Sequence, residues 1–208
     1  MIWPFLAVFF SGWLYVDACY LGPHWQRWFF KPVTLLLLLA LAFQAHQLDV
    51  VEYLILAGLL ASLTGDALSL LPERHRLYTL GAFFLSHLLY TFCFATNMTL
   101  SFVWPVPLTL LIVGIVIMAI IWTPLGELRW PAFTLMGITL IMVWVAIQHY
   151  LMAASDRSFS TMCGAILLLV AHALWLITHY RKRFPADSAL IAACYFGGHF
   201  MVVKALYL

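Results

Sequence analysis

Residues 54–71, LILAGLLASLTGDALSLL, decide the fold class, because this stretch is long and apolar enough to cross a bilayer. A transmembrane helix needs about 20 predominantly apolar residues. One acid, Asp66, lies within the stretch. A charged carboxylate inside a membrane costs roughly 2.5–3.5 kcal/mol on insertion scales, so such acids are rare and usually functional. The segment therefore predicts a membrane protein and, within it, a candidate functional residue.

The composition extends this prediction to the whole chain. Apolar residues make up 65% of the sequence and charged residues 9%, against about 45–50% and about 25% in soluble domains. The net charge of +2 gives no indication of nucleic-acid binding. The four cysteines lie in apolar segments and form no CxxC pair, which predicts reduced, buried thiols and no cysteine metal site.

Seven further apolar segments predict an all-α, polytopic bundle of eight transmembrane helices that forms one domain over residues 1–208. The first segment has no basic residues before it and no small-residue cleavage site after it, so we interpret it as a retained helix and not a signal peptide. Prolines and tryptophans cluster near the segment ends, as turns and membrane interfaces require. The predicted spans are 2–21, 31–47, 51–71, 77–97, 103–122, 131–151, 159–179 and 187–207.

Basic residues are distributed unequally between the two sides of this predicted bundle. The positive-inside rule places loops rich in lysine and arginine in the cytoplasm. The rule therefore predicts that both termini lie outside the cytoplasm. The odd-numbered loops hold Arg27, Lys31, Arg74, Arg76, Arg129, Arg181, Lys182 and Arg183, whereas the other side holds Arg157 and Lys204.

A faint internal repeat accompanies the spans. Asp66-Ala67-Leu68 in the third segment resembles His172-Ala173-Leu174 in the seventh, and each is followed by a basic loop. The stretch from Gly81 to His87 in the fourth segment resembles residues 193–199 in the eighth. Two four-helix halves related by an axis along the membrane normal explain this pattern, and chance similarity between apolar sequences is the alternative.

Several ionisable residues are predicted at similar depths in the cytoplasmic half of the bilayer. With a helical rise of 1.5 Å per residue, Asp66 lies roughly 9 Å from the cytoplasmic end of its helix. The clustering predicts one polar cavity open toward the inner leaflet. The set comprises Asp17, Lys31, Asp66 and His172, with His87 and His199 at the floor of the cavity.

Each of these residues also has a purely structural interpretation. Asp66 could pair with Lys31 or with a helix hydroxyl as an anchor, and Lys31 could fix the topology at a helix start. Asp17 is shallow enough to reach Arg27 or water.

The aromatic and histidine pairs leave two interpretations open as well. His87 and Tyr90 share one helix face at i and i+3, and Tyr195 and His199 share another at i and i+4. Either pair fits a functional site or an interhelical hydrogen bond.

Most familiar catalytic motifs are absent from the sequence. It contains no GxSxG, HExxH, P-loop or GxGxxG signature. His87, His172 and His199 lack the paired spacing of metal ligands, so no metal or other cofactor is predicted. Acid–base chemistry by an intramembrane carboxylate, or transport, remains. The outer halves of most helices hold few ionisable groups, which disfavours ion conduction.

The whole chain resembles the YhhN family of membrane proteins, which includes the eukaryotic lysoplasmalogenases, and its match to the enterobacterial-type branch is close. The resemblance is carried by short motifs in a specific order. They are Lys31-Pro32-Val33-Thr34, Ser62-Leu63-Thr64-Gly65-Asp66 with Leu70, Gly81…Phe84…His87…Tyr90, Gly164-Ala165…Leu168, Tyr195-Phe196…His199 and the final Leu206-Tyr207-Leu208.

The resemblance implies an eight-helix bundle that hydrolyses the vinyl ether bond of a lysoplasmalogen. The products would be a fatty aldehyde and a glycerophospho-ethanolamine or -choline. In a bacterial inner membrane, the bias of basic residues then predicts that both termini are periplasmic. The family pattern has an aspartate matching Asp66 and a second in a Ser-Asp pair of the seventh segment, where this chain has Ala171-His172. Lost catalysis, a changed substrate and a histidine in the same role stay open, and the alternative function is a lipid-binding or transport protein using the same cavity.

The chemistry of vinyl ether hydrolysis suits these residue types. A buried carboxyl group can protonate the double bond, because burial favours its protonated form, and its carboxylate can then stabilise the oxocarbenium-like cation. His172 or His87 can activate water. The predicted catalytic residues are thus Asp66, His172 and His87. A single-chain lysophospholipid would enter sideways, with its headgroup near Lys31, Arg74 and Arg76. The predicted substrate-binding residues are Lys31, Tyr90, Tyr195, His199 and Asp17.

Overall fold

The computed structural model describes residues 3–45, 49–96 and 103–208, and within these it has eight α-helices and no strand. This agrees with the predicted all-α bundle. The predicted span ends at residues 2, 46–47 and 97 lie outside the described residues. The helices are α1 (Trp3–Tyr20), α2 (His24–Gln44), α3 (Val50–Ser69), α4 (Arg76–Ala95), α5 (Pro105–Ile121), α6 (Arg129–Ala153), α7 (Asp156–Tyr180) and α8 (Asp187–Lys204).

Six of the described helices are long and apolar enough to cross a membrane, namely α2, α3, α4, α6, α7 and α8. The apolar parts of α1 and α5 are shorter, at 17 residues or fewer, which is near the lower limit of about 17 residues for a spanning helix. The chain is therefore a polytopic membrane protein.

The start of α2 differs from the prediction. The Lys31-Pro32 pair suggested a helix beginning at residue 31, but α2 begins at His24 and contains Pro32. Proline has no N–H group, so the Trp28 carbonyl loses its donor within the helix, a loss that helices tolerate when neighbours pack around them in a membrane. Two residues beyond the proline, the Ser11 hydroxyl of α1 donates to Thr34 at 2.8 Å and ties the two helices together, while Thr34 donates to the Phe30 carbonyl at 2.8 Å. Lys31 therefore lies two turns inside α2.

A tight turn joins α6 to α7, and its residues explain where the two helices end and begin. Ala154 adopts a left-handed conformation with φ of 40°, which ends α6. Ser155 then caps α7 by accepting a hydrogen bond from the backbone of Ser158, while the Ser158 hydroxyl bonds back to the Ser155 backbone. This capping box starts α7 three residues earlier than the hydropathy pattern predicted.

Helices that follow each other in sequence pack side by side, with the exception of α4 and α5; α4 packs on α6 instead, and α1 and α2 contact α8. Small residues allow the closest approaches. A Cβ atom on Gly65 would lie 2.8 Å from the Phe83 ring of α4, and one on Gly164 would lie 2.9 Å from the Gly198 carbonyl of α8. The glycines thus bring α3 against α4 and α7 against α8, as small-residue faces do in membranes.

Equivalent positions of the predicted repeat make equivalent contacts. Gly58 lies eight residues before Asp66, and Gly164 lies eight residues before His172. Gly58 faces Tyr90, which lies three positions after His87. Gly164 faces Val202, which lies three positions after His199. A two-fold repeat of four helices requires such a match, and the repeat itself stays a prediction.

Candidate functional site

An ion pair between α2 and α3 lies at the centre of the candidate site. The Lys31 ammonium is 2.7 Å from Oδ1 of Asp66, whose residue is only 1% exposed. Lys31 also donates to the Ser69 hydroxyl at 3.4 Å, and Ser69 donates to the Asp66 backbone carbonyl at 2.7 Å. Lys31 lies two turns inside α2, and at this level α2 runs beside the C-terminal part of α3, which holds Asp66.

The second Asp66 oxygen, Oδ2, is buried and forms no hydrogen bond of standard geometry with the described residues. The Tyr195 hydroxyl of α8 lies beside the Asp66 carboxylate and Ser62, but it too forms no hydrogen bond of standard geometry within the described part of the chain. Ser62 is instead hydrogen-bonded to Ser86 of α4 at 2.7 Å. The Asp66 carboxylate and the Tyr195 hydroxyl thus lie side by side as buried polar groups of the site.

Two histidines, one from α4 and one from α7, lie ring to ring inside the bundle. The His87 and His172 rings are 4.5 Å apart and nearly perpendicular. The Nδ1–H group of His172 donates to the Leu168 carbonyl at 2.9 Å. Nδ1 of His87 lies 2.7 Å from the Thr139 hydroxyl, and because that hydroxyl donates to the Leu135 carbonyl, His87 is the donor here. Both bonds leave Nε2 as the acceptor of a neutral ring.

Tyr90 and His199 form a separate pair between α4 and α8. The Tyr90 hydroxyl is 2.9 Å from Nδ1 of His199, and both residues are 0% exposed. The His199 ring also meets the Tyr195 ring edge-on, with centroids 4.6 Å apart. This pair supports the Tyr195 side of the site from behind.

A cavity of about 180 Å³ connects the buried acid to the surface. Asp66 lies at its inner end, and Arg183, whose side chain is 80% exposed, lies at its outer end. The cavity therefore extends toward the end of the bundle that carries the α7–α8 loop. Its lining residues are Tyr15, Lys31, Asp66, Phe83, Ala171, His172, Trp175, Thr178, His179, Arg183, Asp187, Ser188, Ile191, Ala192, Tyr195 and Phe196.

The residues predicted from the sequence fall into three groups. Lys31, Asp66, His172 and Tyr195 line the cavity together. Asp17 is exposed on α1 and does not line it. The remaining three, His87, Tyr90 and His199, are fully buried behind the cavity wall and do not line it either.

The basic residues near the cavity mouth differ from those expected for a headgroup. Arg76 pairs with Glu73 at 2.7 Å, and Arg74 donates to the neighbouring His75 ring. Neither arginine lines the cavity, whereas Arg183 does. The charge pattern predicts Arg183 on the same side of the membrane as Lys31 and Arg76, but only the packing of α7 on α8 brings it to this cavity.

Sequence reasoning also missed His179 and the aromatic wall. His179 lies one turn beyond Trp175 on α7, and their rings stack at 5.7 Å. Trp175 in turn contacts Phe83 of α4 edge-on. The spacing of His172, Trp175 and His179 on a single helix face was the signal that could have identified them.

No group of three or more His, Cys, Asp or Glu side chains within residues 3–45, 49–96 and 103–208 is placed to hold a metal ion. The site instead offers a carboxylate paired with an ammonium, a phenol and a neutral imidazole around one cavity. These groups can donate and accept protons and can stabilise either sign of charge.

Comparison with known sequences identifies the family. The YhhN family profile matches residues 26–206, which is most of the chain. The chain belongs to the YhhN family. Proteins named "Uncharacterized membrane protein YhhN" from Escherichia coli O157:H7 and Shigella flexneri are each 57% identical to it over 208 residues, with full coverage of both sequences. No solved structure matches this YhhN-family chain. The family resemblance predicted from short motifs is therefore confirmed.

Proposed function

We propose that this YhhN-family chain hydrolyses the vinyl ether bond of a lysoplasmalogen by acid–base catalysis inside the membrane. The observation that carries the proposal is the Asp66 carboxylate, which is buried, paired with Lys31 and directed into a cavity shared with His172 and Tyr195. Keeping an acid and a lysine together in an apolar bundle is costly, so their position on a cavity favours a chemical role.

Asp66 is the proposed general acid. The reactive form carries its proton on Oδ2, the carboxyl oxygen that the Lys31 contact leaves free. This proton is transferred to the vinyl carbon remote from the ether oxygen, which leaves an oxocarbenium-like cation at the carbon bonded to oxygen. The Asp66 carboxylate formed in this step stabilises the cation, as carboxylates do in glycoside hydrolysis. Lys31, 2.7 Å from Oδ1, stabilises the same carboxylate.

His172 is the proposed general base. Its Nδ1–H group is held by the Leu168 carbonyl, so the neutral ring presents Nε2 as an acceptor. Nε2 takes a proton from water as the water oxygen adds to the cationic carbon. The hemiacetal then collapses: the Asp66 carboxylate takes the hemiacetal hydroxyl proton, the His172 imidazolium gives its proton to the departing glycerol oxygen, and the C–O bond breaks to release the fatty aldehyde. One water molecule is consumed and the acid and base are regenerated.

The remaining polar residues have binding and positioning roles in this scheme. Tyr195 lies beside Asp66 and can donate to the ether oxygen or orient the carboxyl group. His87 packs against the His172 ring at 4.5 Å and fixes its orientation, so it acts through His172 and not on the substrate. Arg183 at the mouth of the cavity suits the phosphate of a lysophospholipid headgroup.

The proposed setting is a bacterial inner membrane with both termini in the periplasm. The basic loops of the odd-numbered connections support this orientation through the positive-inside rule. The cavity, which ends at Arg183 in one of these loops, would then open toward the cytoplasmic leaflet, and a lysolipid of that leaflet would present its headgroup at the correct depth.

A lipid-binding or transport role is the second candidate. The observation that favours it is His172, which stands where the family pattern leads us to expect a second aspartate. A chain that has lost this carboxylate could retain the cavity for lipid recognition alone.

The two functions are separated by incubating the purified protein with lysoplasmalogen and measuring aldehyde release. Hydrolysis requires equal amounts of aldehyde and glycerophospho product, formed in proportion to protein and lost in Asp66→Asn. Saturable lysoplasmalogen binding without any aldehyde would support the lipid-binding role and overturn the hydrolase.

A further inference from the structure

A second groove, between α1 and α8, directly adjoins the polar cavity. It has a volume of about 300 Å³, within the usual range of ligand sites. Ala192 and Phe196 of α8 line both the groove and the polar cavity. The groove is otherwise apolar and is lined by Phe5, Val8, Phe9, Gly12, Trp13, Val16, Ala193, Gly197 and Phe200.

The groove faces sideways, toward the membrane lipid. Phe9 and Trp13 on its α1 wall are 71% and 64% exposed. Between Val16, near the polar cavity, and Phe5, at the far end, α1 rises about 16 Å. One leaflet contributes about half of the ~30 Å hydrocarbon core. The groove is therefore about as long as one lipid hydrocarbon chain, and because Phe5 lies near the N-terminal end of α1, a chain in it would run from the polar cavity across the bilayer midplane.

Aromatic contacts mark both ends of the groove. At the cavity end, the Phe196 ring meets Tyr15 of α1 edge-on at 5.5 Å and Tyr195 at 5.5 Å. At the far end, Phe5 and Phe200 meet edge-on at 5.6 Å and close the space between the two helices. The groove is thus bounded, with a polar site at one end and an aromatic floor at the other.

We propose that the α1–α8 groove holds the single hydrocarbon chain of the lysolipid and that Phe5 and Phe200 limit its length. The proposal rests on the lysolipid substrate of the proposed function. With the phosphate near Arg183 and the chain in the groove, the first carbons of the chain lie beside Phe196, next to Asp66 and Tyr195. A diacyl lipid has a second chain, which this one groove does not accommodate.

The groove acts mainly by positioning. Membrane lipid is as apolar as the groove, so moving a chain between them gains little from the hydrophobic effect. What the groove provides is a fixed direction for the chain and therefore a fixed place for the bond next to the headgroup. Errors of about 1 Å in such placement can lower rates by roughly 10²-fold.

A photoreactive lysophosphatidylethanolamine with a diazirine near the end of its acyl chain tests the occupant directly. Because this probe has an ester and no vinyl ether, its crosslinking does not depend on turnover. After irradiation of the full-length protein in detergent, crosslinked peptides should map to α1 and α8 near Phe5 and Phe200. Mapping to the larger apolar groove between α5 and α6, lined by Gly114, Gly137 and Trp144, would overturn the proposal.

Substitutions that fill the groove provide the second arm. A Cβ atom on Gly197 meets only Leu167, at 3.7 Å, so Gly197→Leu can be accommodated locally, and Ala193→Phe adds bulk on the exposed wall. Each should lower crosslinking, and kcat/KM for long-chain substrate, by at least ~10-fold. Gly137→Leu is the matched control, because a Cβ at Gly137 meets nothing within 4 Å and it lines the α5–α6 groove. Unchanged crosslinking in both groove variants would contradict the proposal.

Variants of the floor residue Phe200 and of Asp66 test the groove and the proposed hydrolase activity separately. Phe200→Ala should extend the preferred chain length, whereas the same optimum as in the wild type would refute the limiting role of the floor. Asp66→Asn should lose turnover and keep wild-type crosslinking. Crosslinking in α1 and α8 without any turnover of lysoplasmalogen would leave the groove assigned and the hydrolase refuted. Turnover of lysoplasmalogen with crosslinks outside α1 and α8 would support the hydrolase and refute the assignment of the groove.

Discussion

The Lys31 ammonium lies 2.7 Å from Oδ1 of Asp66, and this ion pair joins α2 to α3 inside a bundle of apolar helices. Asp66 is buried, whereas the Lys31 side chain is 18% exposed and reaches the cavity. Both residues line the cavity where a substrate would bind, so the acid faces the substrate while the ammonium stays on one of its oxygens. Such an arrangement stabilises the conjugate base of a general acid.

Neutralising the acid should remove activity with a limited effect on folding. Asp66→Asn is expected to lower kcat by at least ~10²-fold, the lower scale of a general acid–base contribution. It also leaves Lys31 without its counter-charge, but Lys31 is partly exposed, so the loss of stability should fall below the ~3–5 kcal/mol of a fully buried pair. Aldehyde release and denaturant unfolding in detergent measure the two effects.

The double variant Lys31→Met with Asp66→Asn is the matched control for that experiment. It removes both charges and should recover much of the stability while remaining inactive, because replacing a whole buried pair is often neutral. An active double variant would mean that the pair is an anchor and has no part in the chemistry.

Position 172 distinguishes a histidine base from a lapsed site. His172→Asp should keep or raise turnover, because it restores the carboxylate expected there from the family pattern, and His172→Ala should lower it. His149→Ala is the control, since His149 lines a separate small cavity with Arg157. Turnover in His172→Asp but not in the wild type would identify the natural protein as a lipid-binding relative.

The glycines of α3 should be intolerant of even a methyl group. A Cβ on Gly65 would lie 2.8 Å from the Phe83 ring, which itself contacts His172. Gly65→Ala is therefore expected to destabilise the protein by about 1–3 kcal/mol, as overpacking does. Gly81→Ala on α4 meets nothing within 4 Å and should be neutral or stabilising. Equal unfolding midpoints for the two variants would show that this contact is not tight.

The orientation of the bundle can be tested at its C-terminus. Alkaline phosphatase fused after Leu208 should be active, because the excess of basic residues in the odd-numbered loops predicts a periplasmic terminus. Strong activity from a reporter that functions only in the cytoplasm, fused at the same place, would refute both the orientation and the assignment of the cavity to the cytoplasmic leaflet.

The sequence predicted the elements of this fold because each depends on local properties. Apolar segments of sufficient length specify the helices, and an acid such as Asp66 stands out in any of them. The start of α2 was placed wrongly because Pro32 has the local signature of a helix start, whereas α2 begins at His24 and continues through the proline. A proline inside a membrane helix is tolerated where neighbouring helices pack around it, which local sequence does not reveal.

The site was predictable in depth but not in detail. Helical rise placed Lys31, Asp66 and His172 at similar levels, and all three line one cavity. The depth of a residue in the membrane does not tell which way its side chain faces. Depth alone therefore could not distinguish His172, which lines the cavity, from His87, which lies behind the cavity wall. That distinction depends on how each helix rotates against its neighbours, as in the His87 contact with Thr139 of α6.

The most direct measurement of the central claim is the turnover of lysoplasmalogen by purified protein in heavy-oxygen water. The account predicts a fatty aldehyde and an equal amount of glycerophospho product that carries no heavy oxygen, because water adds to the vinyl carbon and the glycerol oxygen leaves intact. Asp66→Asn should form neither product. Heavy oxygen in the glycerophospho product, or wild-type turnover by Asp66→Asn, would contradict the account.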